Sequence, residues 1–217
     1  MEGVFPEVVF TIFGFPVRDT VISTWIMMVV IVGMAILVGR RRPTALEMLV
    51  DFLNDVISTM MGRPAEPFLP LLGALGIFIA VANIIGVVPF VVSPTRDINT
   101  PLALALVVFF SVHYFGIRAK GVTKYIRDMA SPIFMLPLEI IGQLSRTLSL
   151  TLRLFGNIIS TELVVAIIFA LAPLFAPLPL VGFSILTGLV QAYIFTALAA
   201  VYIGAGLEAT EATSIDE

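Results

Sequence analysis

Residues 138–162 read LEIIGQLSRTLSLTLRLFGNIISTE, and four charges, Glu139, Arg146, Arg153 and Glu162, interrupt an otherwise apolar stretch. On a helix, at about 100° and ~1.5 Å per residue, Glu139, Arg146 and Arg153 recur at seven-residue steps, almost in line. Gln143, Ser149, Asn157 and Ser160 fall on or beside that line. Glu162 comes nine residues after Arg153, on the opposite side of the helix and ~13 Å further along its axis. A guanidinium keeps its proton in any ordinary site. A charge at the centre of a membrane helix costs at least ~2.5–3.5 kcal/mol. Arg153 therefore snorkels to an interface, pairs with an internal acid, or is the working part of the helix. No acid lies three or four residues beyond it, which points to a partner on another chain.

The surroundings set the class. Of 217 residues, 59% are hydrophobic and 12% charged, where a soluble domain carries about 25% charged residues. Mean hydropathy is +1.08. Several apolar runs approach the roughly 20 residues that cross a bilayer as a helix, and the ~10-residue alternation of a membrane barrel is missing. The expected fold is an all-α polytopic membrane protein, a single membrane domain over 1–217. The chain has no cysteine and one histidine. That excludes disulfides and thiol chemistry and leaves no metal-ligand spacing. A net charge of −3 gives no nucleic-acid signal. The first ten residues lack the basic start of a cleaved signal peptide.

Taken in order, residues 1–20 read as an outer lead-in broken by Pro6, Gly14 and Pro16, and 21–39 as the first span, ending at Arg40, Arg41 and Arg42. Residues 44–61 place Leu46, Leu49, Leu53, Val56 and Ile57 on one helical face and Glu47, Asp51 and Asp55 on the other. Such a helix lies along an interface rather than across it. Its acidic face suits partner subunits or packing on the other helices better than anionic lipid. Residues 68–90 and 102–117 are the next spans, separated by VVSPTRDINTP. Two long apolar blocks follow, 135–172 and 178–207, with Pro173 and Pro177 between them breaking the helix. Both are too long for a ~30 Å hydrocarbon core, so they should form a strongly tilted hairpin. About five crossings and one interfacial helix result, with an acidic tail at 208–217. With the N-terminus outside, the inner loops hold eight Lys or Arg residues and the outer segments hold two, Arg18 and Arg96. This places the C-terminus on the cytoplasmic side.

Other polar residues are candidates for the same path. Ser184, Thr187, Gly188 and Gln191 form a stripe on the last helix. The stripe suits either helix–helix hydrogen bonding or a wet path, and Gly188 permits close approach. Asn83 and Asp97 fall near the outer side, with Asp97 beside Arg96 as a possible loop ion pair, and His113 reads as an interfacial histidine. No nucleophile–base pair or phosphate loop is present, so the chain is expected to be non-catalytic and to need no cofactor or metal.

SLTLRLFGNIISTEL at 149–163 and VQAYIFTALAAVYIGAGLE at 190–208 resemble the a subunit of F-type ATP synthases, as do PTRDINTPLALAL and NIIGVVPF. The likeness covers nearly the whole chain. It implies ion translocation, with protons favoured, through two offset half-channels against a rotating ring of c subunits that carry carboxylates. By this resemblance Arg153 is the essential stator charge, and Asn157, Glu162 and Gln191 belong to ion translocation. Asn83, Asp97, Ser160, Ser184, Thr187, Glu139 and Arg146 are candidates for half-channel lining. Peripheral-stalk b subunits and lipid are further implied partners, and a bacterial plasma membrane is the implied location. Ser184 and Gly86 stand where some relatives carry titratable groups, which leaves Glu162 as the main ionisable candidate of the outer path. The alternatives are a stand-alone channel or secondary transporter, and a structural membrane scaffold.

Overall fold

The computed structural model describes residues 8–12, 15–86, 93–129, 136–171 and 177–212. A short antiparallel hairpin, β1 (Val8–Ile12) and β2 (Phe15–Arg18), comes first. The expected lead-in over 1–20 thus carries a hairpin in its described part. Among the described residues seven α-helices follow: α1 (Asp19–Arg41), α2 (Pro43–Met61), α3 (Leu69–Ile85), α4 (Asn99–Lys120), α5 (Val122–Met129), α6 (Leu136–Leu171) and α7 (Pro177–Ala212). A 3-10 turn, Pro94–Arg96, precedes α4.

Among the described residues, four helical segments are long and apolar enough to cross a membrane: Asp19–Arg41, Asn99–Ala119, Pro137–Leu171 and Leu178–Leu207. The fifth expected crossing, α3, has 17 residues, about 26 Å of helix. Its expected continuation to Phe90 lies outside the described residues. The third span is longer than expected at both ends, because Asn99 and Thr100 extend it before Pro101 and the helix runs on to Lys120. The basic stretch after it folds into α5, which the sequence reading did not anticipate. At 36 residues each, α6 and α7 would measure ~54 Å end to end, well beyond a ~30 Å apolar layer.

The core explains which helix is central. Ala192, Phe195, Ala199, Ala200, Ile203 and Leu207 of α7 are buried against Leu72, Leu75 and Ile79 of α3, Ala105 and Val108 of α4, and Leu150 and Leu154 of α6. Small side chains on α7 let its neighbours approach, which is how membrane helices gain packing energy when lipid is as apolar as leucine. Helix α2 contributes Ile57 and Met61 to this core from its C-terminal half. Its Glu47, Asp51 and Asp55 are exposed, as its pattern requires, but so are Met48, Leu49, Val50 and Phe52. Helix α1 buries only Thr20 and Met27 and stands at the edge.

Candidate functional cavity and an exposed arginine

Helix α6 faces two environments. Ser145, Leu148, Ser149, Leu152 and Arg153 are exposed, while Thr147, Leu150, Thr151, Leu154 and Ile158 are buried against the bundle. Arg153 thus stands on the outward face and forms no ion pair with a described residue. Further along, Asn157, Ile158, Thr161, Glu162 and Val165 turn toward α3 and α7 and line a cavity of about 370 Å³. Asn83 and Gly86 of α3, Ser93, and Ser184 and Gly188 of α7 complete its polar side. A neighbouring hollow of about 270 Å³ shares Asn157, Thr161 and Ser184 and adds Ser160 and Thr187. A space of this size, lined by these polar groups together with apolar Val165, Ala166, Phe169 and Val181, has room for several waters.

Close approach of α3 and α7 shapes the cavity floor. A Cβ on Gly188 would stand 2.8 Å from the Asn83 Cβ. Glycine there brings the Asn83 amide within reach, and Asn83 Nδ2 donates to the Gly188 carbonyl at 2.8 Å. Thr95 donates to Asn83 Oδ1 at 3.4 Å, Ser93 and Thr95 share a hydrogen bond of 2.8 Å, and Ser93 donates to the Ala82 carbonyl at 3.0 Å. At Gly86 a Cβ would come within 2.8 Å of the Ser93 Cβ, so no acid fits there without moving this network. On α7, Ser184 donates to the Leu180 carbonyl and Thr187 to the Ser184 carbonyl. Both hydroxyls have spent their hydrogen on their own helix and keep oxygen lone pairs for water or a cation.

The charged residues separate into distinct groups. Glu162 Oε2 lies 3.2 Å from Arg96 Nε, a pair spanning α6 and the turn before α4. The expected Arg96–Asp97 loop pair is not what forms. Asp97 is buried and binds Arg18 Nη1 at 2.7 Å, the Asn99 side chain at 2.8 Å and the Asn99 backbone N–H at 3.1 Å. Consecutive residues Arg96 and Asp97 aim at different elements, α6 and the end of β2, and Asp97 lines a separate groove with Arg18, Thr20 and Thr24. Toward the other end of α6, Glu139 accepts a hydrogen bond from Gln143 at 3.1 Å, and the Arg146 guanidinium lies 5.6 Å from the Tyr202 ring centroid, a cation–π distance. Both residues have local partners and lie away from the Glu162 cavity. His113, on α4, meets the Tyr125 hydroxyl at 3.3 Å across α5. Gln191 is buried, and its Nε2 finds no partner among the described residues.

Asn83, Asn157, Glu162 and Ser184 are therefore brought together, with Ser160 and Thr187 adjoining. Arg153, Asp97, Glu139 and Arg146 stand elsewhere. Sequence reading missed Arg96, Ser93, Thr95 and Thr161. The TRD triplet was the available signal, but nothing in it says which helix each charge meets.

The class these features define is a polytopic helical membrane protein with a polar cavity between three helices and an arginine on the outer face of its longest helical pair. Residues 21–204 match the family described as ATP synthase A chain. The chain is 49% identical over 195 residues, 86% of this chain and 87% of the relative, to ATP synthase subunit a 2 of Bradyrhizobium sp. (strain BTAi1). It is 42% identical over 204 residues, 90% of each chain, to ATP synthase subunit a 2 of Pelobacter propionicus. It is 36% identical over 225 residues, 100% of this chain and 98% of the relative, to ATP synthase subunit a of Legionella pneumophila (strain Corby). The chain belongs to the ATP synthase subunit a family.

Proposed function

We propose that this chain translocates protons as the membrane stator of a rotary ATP synthase, coupling an ion-motive force to rotation of a c-subunit ring. The observation that carries the proposal is the two-sidedness of α6. Arg153 stands on an exposed face, while Glu162 and Asn157 open into a polar cavity on the bundle side. In this reading the cavity is the outer half-channel. A second path opens to the other membrane surface near Glu139 and Arg146. The exposed Ser145, Ser149 and Arg153 edge, flanked by Leu148 and Leu152, meets the ring. A proton arriving through the cavity neutralises a ring carboxylate, which then turns into lipid and discharges on the other side. Arg153 stabilises the ionised carboxylate, as an opposite charge nearby favours the charged form. Its permanent charge also blocks direct passage between the two paths. The driving force is about 2.3 kcal/mol per charge per 100 mV. Gln191, on the helix paired with α6, is buried and keeps an unspent donor among the described residues. The b subunits of the peripheral stalk are the partners proposed to hold the chain against torque. The proposed location is the bacterial plasma membrane, with the N-terminus outside.

The absence of cysteine gives a direct test. Single cysteines at Asn157 and Ser184 in the assembled complex should react with a membrane-impermeant thiol reagent from one side of the membrane only, and labelling should slow ion-driven ATP synthesis. Reaction from both sides equally, or labelling without effect on synthesis, contradicts the half-channel reading.

A further inference from the structure

Glu162 is the one titratable side chain among the described lining of the cavity; the other polar lining groups are amides and hydroxyls. Arg96 backs Glu162 without lining the cavity itself. Its side chain is 11% exposed against 32% for Glu162. The carboxylate therefore has one side on a guanidinium and another open to the cavity.

The turn that delivers Arg96 is anchored on both flanks. Ser93 and Thr95 are fully buried and tie it to Asn83 and the end of α3. Asp97 ties the next residue to Arg18 and Asn99. Asp97 already has its own cation, so Arg96 is placed for Glu162. Removing one member of a partly desolvated ion pair leaves an uncompensated charge, whereas replacing both with neutral groups costs far less.

We infer that Arg96 is the counter-charge of the access path, a positioning residue that cancels Glu162 so that ions cross a cavity whose remaining polar groups are neutral amides and hydroxyls. This rests on the half-channel reading above. Without Arg96, Glu162 becomes an anionic well that holds the arriving cation. Without Glu162, Arg96 repels it. Both effects are strengthened by the low dielectric of the site. Arg96 acts through Glu162 and does not itself carry the ion.

The test uses the assembled complex in proteoliposomes, with ion-driven ATP synthesis measured at a fixed driving force and normalised to the amount of complex. Arg96→Gln and Glu162→Gln should each lower the rate at least tenfold. Arg96→Lys, which keeps the charge, should stay within threefold, and Arg96→Gln with Glu162→Gln should recover to within threefold. Unaltered synthesis in Arg96→Gln overturns the proposal, and so does a double variant no faster than the slower single one. Should Arg96→Gln fail to assemble, the double variant against Glu162→Gln alone decides. A threefold or greater gain supports the counter-charge, and no gain overturns it. Arg153→Ala is the control. If it still synthesises ATP, the stator reading itself fails. If it is dead while Arg96→Gln is unaltered, only the counter-charge fails.

Discussion

Gly188→Ala is the sharpest test of how the cavity is built. The new Cβ would stand 2.8 Å from the Asn83 Cβ, and the side-chain amide carbon and nitrogen would both be 3.6 Å away. A Cβ–Cβ contact this short cannot be relieved by rotating a side chain, so α3 and α7 must separate by several tenths of an ångström. Overpacking of this kind costs about 1–3 kcal/mol. Separation also stretches the 2.8 Å bond from Asn83 to the Gly188 carbonyl, a net loss of about 0.5–1.5 kcal/mol. The combined cost is about 1.5–4.5 kcal/mol, and each 1.4 kcal/mol is a tenfold change in equilibrium. Asn83→Ala provides the comparison, because it loses the hydrogen bond and keeps the glycine contact. The assay is the temperature at which the assembled complex in detergent loses this chain. Gly188→Ala should lower it by clearly more than Asn83→Ala. An equal or smaller effect would show that close approach at Gly188 is not what joins α3 to α7.

Two further outcomes follow from groups outside the membrane-spanning segments. Asp97→Ala removes the anchor of Arg18 and two bonds to Asn99, and hydrogen bonds to a charged group are worth about 1.5–3 kcal/mol. Protease should cut the 8–18 hairpin much faster in that variant while the helices stay intact; unchanged cutting would show that the hairpin is held elsewhere. Burial first, and the nearby Glu139 carboxylate second, push the Tyr125 phenol above its ordinary value of 10.0. The folded chain holds that proton more tightly than the unfolded one, so this stabilisation is present below pH 10 and is lost as pH rises through the folded value. Phenolate absorbance, with Tyr125→Phe as the subtraction, should show a late-titrating group that moves back in Glu139→Gln.

What the sequence made legible is what lies within a single helix. The long hairpin appears at Leu136–Leu171 and Pro177–Ala212, close to the bounds drawn from its apolar blocks and prolines. The opposition of Arg153 and Glu162 follows from nine residues at 100°. Close approach at Gly188 was also readable, although its partner was not. Contacts between elements were hidden, because periodicity reports a face and not what it meets. Arg96 and Asp97 are neighbours that look like a pair in sequence, yet one reaches Glu162 on α6 and the other Arg18 at the end of β2. Arg146 shares an exposed stripe with Arg153 but has an aromatic partner, the Tyr202 ring of α7, which the spacing within α6 could not show. The hairpin before α1 was obscured by Pro16, which reads as a break but lies within β2 opposite Thr11.

The central claim is that the fixed charge on the outer face of α6 couples ion flow to rotation. The measurement that tests it most directly is ion-driven ATP synthesis by the assembled complex carrying Arg153→Ala. The complex should assemble with normal subunit content, and coupled synthesis should be lost. Coupled synthesis at the unaltered rate in that variant would contradict the claim.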